Sequence, residues 1–188
     1  MSGSIYGRIH RHKVFISYHH ENDQWYRDAF EKMFAGANNI MVSKSVQIGD
    51  IDDGLSVDRI RRIIREQYIR DATVTVVLVG KDTWRRKHVD WEIGASIRQT
   101  EYSPRAGLLG VLLPTYPGYS SSSYNPYTIP PRLYRNIECG YAKLYSWNEN
   151  ANLVADWIQL AYETRKIKNP DNSYQSYGNN RNGDMWYP

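Results

Sequence analysis

At 188 residues with 41% hydrophobic content, the chain is long enough for one domain with a full core and leaves little room for two. Its single cysteine, Cys139, excludes an internal disulfide and suits a reducing compartment, so the cytoplasm is the expected location. A formal charge of +4 permits anionic partners, but the basic residues are spread along the chain. There is no zinc-ligand spacing, RNP motif or basic arm, and nucleic acid is not an expected partner.

Met1 to Arg11 reads as an N-terminal extension, charged and without the apolar core of a signal peptide. No stretch approaches the ~18–20 apolar residues needed to cross a bilayer, so no membrane partner is expected. The main domain is expected over residues 12–167. Its first strand is the run Lys13-Val14-Phe15-Ile16-Ser17-Tyr18, followed by a polar turn and by Trp25, Phe30, Met33 and Phe34 at helical spacing. A weaker strand is expected at Ile40 to Val46, then an aspartate-rich loop from Gly49 to Gly54.

Leu55, Ile60, Ile63, Ile64 and Tyr68 form an apolar stripe with Arg59, Arg61, Arg62 and Arg65 mostly opposite, which predicts an amphipathic surface helix. Thr73 to Val79 is nearly continuous in β-branched residues, as a strand buried on both faces should be, and is expected to be central. A helix follows over about Arg86 to Thr100, with Val89, Ile93 and Ile97 on one stripe, then a strand at Gly107 to Leu113. The Ser-, Tyr- and Pro-rich stretch over 114–136 predicts a long loop without regular structure. The last expected pair is a strand at Tyr141 to Tyr145 and a helix at Asn150 to Lys166, and residues 168–188 read as a loosely ordered tail.

Short apolar runs alternating with helical segments predict an α/β protein with a flavodoxin-like open parallel sheet of about five strands and helices on both faces. Ligands of such sheets bind outside the carboxyl ends of the strands, which selects Ser17 to Asn22, Gly49 to Gly54 and Gly80 to Glu92. The loop after the first strand is neither a P-loop nor a GxGxxG turn, so a nucleotide would be held differently. Asp82 or Thr83 can cap the turn after the central strand, and Arg85, Arg86 and Lys87 crowd the entrance of the next helix. Cations there oppose the helix dipole, and either an anion such as a pyrophosphate compensates them or they are solvated surface charges. Glu92, one turn after His88, is expected at the edge of the buried face, partly desolvated and still charged. His19 and His20 have no ligating companions in view, so no metal is assigned.

Three stretches carry a family resemblance. Lys13 to Asp23 resembles the first box of TIR domains, and Gly80-Lys81-Asp82-Thr83-Trp84 with Lys87 to Ile93 resembles the TIR segment bearing a glutamate. Ile129 to Ile137 with Gly140-Tyr141-Ala142 resembles the bacterial TIR-like subgroup that includes ThsB proteins of Thoeris antiphage defence. The resemblance covers roughly residues 12–166. It implies an enzyme that cleaves NAD+ and makes a cyclic ADP-ribose isomer, the signal that activates a separate effector protein during phage infection. NAD+ enters as substrate, no cofactor is implied, and association with other TIR domains is.

Carried over residue by residue, the resemblance makes Glu92 the catalytic group, with Phe15, Ser17, Tyr18, Trp84 and His88 as substrate-binding candidates. Ser17 and Tyr18 stand equally well as residues bonded to backbone or buried in core. Two positions depart from the family. His88 occupies the place of a tryptophan four residues before the glutamate, so stacking on substrate must come from His88, Trp84 or Trp91, or be absent. The segment Ser45 to Gly54 lacks the proline of animal signalling TIRs, which argues against an adaptor of that type. Two other functions remain open, a non-catalytic TIR interaction module and a toxin that depletes NAD+.

Overall fold

A computed structural model describes residues 11–37, 39–43, 51–52, 54–101, 103–121 and 123–187. Five parallel strands, β1 (His12–Ser17), β2 (Ile40–Val42), β3 (Val74–Val79), β4 (Gly107–Leu112) and β5 (Ala142–Ser146), lie in the order β2-β1-β3-β4-β5. The expected strand at residues 73–79 is the middle one, and every residue of β3 is buried. The far end of the second expected strand, residues 44–46, and parts of the loop after it lie outside the described residues.

Alternation along the strands divides the core into two layers. Val14 and Ile16 of β1, Val74, Val76 and Leu78 of β3, and Leu109 and Val111 of β4 face helices α1 (His20–Met33) and α5 (Ala151–Ile167). Phe15, Val77, Val79 and Leu108 face the opposite layer, formed by α2 (Val57–Ile63), α3 (Lys87–Ser96) and α4 (Pro131–Glu138). Local signals set most helix starts. The Asn150 side chain accepts from the amides of Asn152 and Leu153, and Ser56 accepts from Arg59. Glu21 and Asp23 place negative charge in the first turn of α1, where the helix dipole favours it.

The arginine-bearing helix is not one regular α-helix. After α2 it widens into a π-helical segment, Ile64–Ile69, whose buried residues are Ile64, Arg65 and Ile69. The change of period carries Arg65 inward, against the expectation that it lies opposite the apolar stripe. Its guanidinium donates to the carbonyls of Ser96, Ser103 and Pro104 at 3.2, 2.9 and 2.7 Å.

Two expectations for the second half of the chain are corrected. The stretch expected to be irregular contains a 3-10 turn, Pro126–Thr128, and α4 itself. Pro131 hides α4 from a reading of prolines as loop markers, because proline suits the first helical position. The tail is not loose either: residues 169–187 form a strap fastened across α3 and α4, described below. Among the described residues no helix is long and apolar enough to cross a membrane.

Candidate active site

In the order β2-β1-β3-β4-β5 the chain leaves β1 toward one edge and β3 toward the other, so a crevice opens between their carboxyl ends. Ser17 ends β1 on the face that α3 covers, and Glu92 projects from the middle of α3. The two meet: Ser17 Oγ donates to Glu92 Oε2 at 2.5 Å, while Glu92 Oε1 has no partner among the described residues. Both residues are buried, with Glu92 1% exposed. The carboxyl is therefore deeper than the partly wet helix edge expected from sequence. Burial pushes its pKa up to about 8, and the Ser17 hydrogen bond opposes that rise.

Around this pair lies a rim of cations and histidines. Tyr18, its ring 4.4 Å from that of His20, donates its hydroxyl to Gln24 at 2.6 Å, and burial raises its pKa. His20 is lowered to about 4, by burial first and then by His88, Arg86, His19 and Arg27. Burial and Arg86 lower His19 as well. His88 is half-buried with its ring against Trp91, 5.2 Å between centroids. The predicted Ser17, Tyr18, His88 and Glu92 thus share one end of the sheet, joined by His20 and Arg86. The doubled histidine at 19–20 is the sequence signal for His20, and reading the pair for metal ligation alone passes over it.

Phe15 and Trp84 lie in the walls around the crevice. Phe15 is fully buried in the cluster with Ile60, Ile64 and Trp91, one pleat below Ser17, and supports the crevice from within. Trp84 is 2% exposed, its carbonyl accepts from the Tyr177 hydroxyl at 3.1 Å, and Arg85 covers its ring. Trp91 is equally buried, and its indole donates to the Tyr177 carbonyl at 2.7 Å. Of the aromatic groups weighed for stacking, His88 is the one left with accessible surface.

A second polar knot fixes the loops. Asp23, in the first turn of α1, accepts from Thr115 at 2.9 Å and from Thr83 at 3.5 Å, and Thr83 in turn accepts from the Gly80 amide. A Cβ at Gly80 would collide with the Asp23 carboxyl and the Thr115 hydroxyl. Burial raises the pKa of Asp23, and its two threonine donors counter the shift. Thr83 thus binds the turn after β3, while Asp82 pairs with Arg85 at 3.3 Å, and neither caps a helix through its side chain.

The helix that carries Glu92 has no capping side chain of its own; the strap supplies one, with Asn180 Oδ1 accepting from the Lys87 amide at 3.0 Å. Next along the helix, Asp90 holds the buried Arg132 guanidinium at 2.9 Å and accepts from the Tyr177 amide at 2.9 Å. Arg132 also donates to the carbonyls of Asn172 and Tyr174. The three cations expected at the helix entrance are accordingly divided: Arg85 donates to Gly183 at 2.6 Å, Lys87 lies over the Trp91 ring, and Arg86 faces the histidines.

A five-stranded parallel sheet in the order β2-β1-β3-β4-β5, with helices on both faces, is an α/β fold of the flavodoxin-like class. The family model for the TIR-like domain of Thoeris protein ThsB matches residues 15–116, more than half of the chain, and the chain belongs to that family. Among solved structures, the TIR domains of the activated Roq1 resistosome directly recognizing the pathogen effector XopQ share 14% identity, covering 84% of this chain and 86% of that chain, with a TM-score of 0.35. No curated protein matches at significance.

Proposed function

We propose that this defence-family TIR domain cleaves NAD+ at the bond between nicotinamide and ribose, with Glu92 as the catalytic residue, and that it acts in the cytoplasm to make a cyclic ADP-ribose isomer for a separate effector. The observation that carries the reading is the buried Glu92 carboxyl, bonded on one oxygen by Ser17 and without a partner on the other among the described residues. A desolvated acid at the switch point is where a perturbed functional group is expected.

The chemistry asks for one such group. The nicotinamide of NAD+ is already cationic, so when the bond to the ribose breaks the electron pair goes to the ring nitrogen and no proton need be supplied. An acid–base pair of carboxylates, which an ordinary glycoside requires, is unnecessary. Ionised Glu92 would stabilise the oxocarbenium-like charge on the ribose. Burial favours the protonated acid, and an approaching pyridinium favours the carboxylate, so substrate and ionisation arrive together. Attack by water gives ADP-ribose, whereas attack by the tethered adenine gives a cyclic product, favoured by proximity in a site that excludes water. Ser17 positions Glu92, while Tyr18, His20 and His88 border the substrate.

Glu92 at 1% exposure implies that the side chains over it shift before NAD+ enters, and self-association of TIR domains is the step proposed to drive this. Purified chain at rest is therefore expected to turn over slowly. The test is mass spectrometry of NAD+ and its products in bacteria expressing wild type or Glu92→Gln during phage challenge. A cyclic product lost in the variant supports the reading. Linear ADP-ribose with collapse of NAD+ would identify a depleting toxin instead, and protection without any Glu92-dependent product would leave a non-catalytic interaction module.

A further inference from the structure

Away from the Glu92 crevice, the outer surface where α2 and the π-helical segment cross the C-terminal end of α3 encloses a cavity of about 580 Å3. That lies within the roughly 300–1,000 Å3 of ordinary small-ligand pockets. Five arginines line it, Arg61, Arg62, Arg65, Arg70 and Arg98, against two carboxylates, Asp58 and Glu66. None of the five is ion-paired with a carboxylate among the described residues, although other arginines of the chain are.

The crowding is built into the fold. Gly94 of α3 leaves room for the Arg61 guanidinium, which a Cβ there would meet at 2.8 Å, and for Arg132 just behind it at 3.2 Å. Burial first, then Arg132 and Arg98, hold the Arg61 pKa below its ordinary value, with Asp90 and Asp58 offsetting part of the effect. The Nε atoms of Arg61 and Arg65 are buried without partners among the described residues, while Arg61 Nη1 donates to Ser176 Oγ at 3.1 Å. Arg65 forms the fixed floor through its three carbonyl bonds. Arg62 and Arg98 are exposed at the rim.

Guanidinium groups stay charged at any ordinary pH, and their forked donors match phosphate oxygens in pairs. A concave wall of one sign also focuses its field on what enters. We propose that this cavity binds a small anion of the diphosphate class, inorganic pyrophosphate or the diphosphate of a nucleotide, held between the fixed Arg61 and Arg65 and the closing Arg62 and Arg98. Such a ligand would tie the π-helical segment to α3, the helix that carries Glu92, from the end away from the crevice.

The test uses the whole chain and inorganic pyrophosphate in isothermal titration calorimetry, at ionic strength held constant with sodium chloride. Wild type should bind one equivalent saturably. Arg62→Ala/Arg98→Ala should weaken binding by roughly tenfold or more, the scale of one lost charge-assisted pair, with the melting temperature of the free protein unchanged. Arg59→Ala, on the same helix but outside the cavity, should bind as wild type does. No saturable binding, or equal affinity in the double variant, would overturn the proposal. Tighter capture of an RNA oligonucleotide than of pyrophosphate, lost in the same double variant, would also overturn it by making the surface a nucleic-acid contact.

Discussion

Glu92 holds its proton in the folded chain to about pH 8, whereas an unfolded chain releases it near the ordinary 4.5. Across that interval the native state carries a proton that the unfolded state lacks, so stability falls as pH rises. The contribution is complete below the lower value and is lost as pH climbs through the upper one. Glu92→Gln, a neutral analogue of the protonated acid, does not titrate. Its melting temperature relative to wild type should climb from pH 4.5 to about 8 and then level off. Parallel melting curves for the two proteins over that range would contradict burial of the carboxyl.

Ser17 gives the same residue a second signature. Its hydrogen bond lowers the Glu92 pKa against the larger effect of burial. The rise of kcat/KM with pH, which reports the free enzyme, should centre at about 8 in wild type and move to higher pH in Ser17→Ala. A midpoint that stays put, or moves down, would mean that Ser17 does not position the reacting group.

At the scale of elements, α3 depends on residues far away in the chain. Asp90 joins it to Arg132 of α4 and to Tyr177 of the strap. Asp90→Ala would leave a fully buried guanidinium without its counter-charge, which costs about 3–5 kcal/mol. Chemical denaturation should show that loss, and hydrogen exchange at the Tyr177 amide should speed up, since its acceptor is gone. A loss below about 1 kcal/mol, the scale of a surface pair, would mean that the strap is not fastened through Asp90. Sequence reasoning could not find this arrangement. Its bonds join residues 42 to 87 positions apart, each made by one side chain or one amide, with no periodicity to mark them. For the same reason the missing cap of α3 looked like a patch of unfavourable cations until Asn180 was in place. What the sequence does carry is local: the β-branched run of β3, the apolar run Val14-Phe15-Ile16 of β1, and the Val89 and Ile93 stripe that seats α3 on the sheet.

For the whole molecule, the parallel sheet with residues 73–79 at its centre was legible, and the rule that ligands bind outside the strand ends selected the stretches that hold Ser17 and Glu92; that the two side chains meet was not legible. The depth of Glu92 was not legible. It depends on α2, the π-helical segment and the strap closing over one face, and a helical wheel of α3 alone puts residue 92 at an edge. The burial of Phe15 and Trp84 escaped for the same reason, since a sequence marks an aromatic ring as apolar without saying which wall it joins. A carboxyl enclosed at rest fits the proposed activity being released on assembly.

The most direct measurement is nicotinamide release from NAD+ by wild type and Glu92→Gln, both recovered from phage-challenged cells and matched for folded protein by their melting at pH 6. The account predicts release by wild type and a loss of roughly a hundredfold or more in the variant, the scale on which one preorganised electrostatic group acts in a transition state. Equal release by the two folded proteins would remove Glu92 from the chemistry and contradict the account.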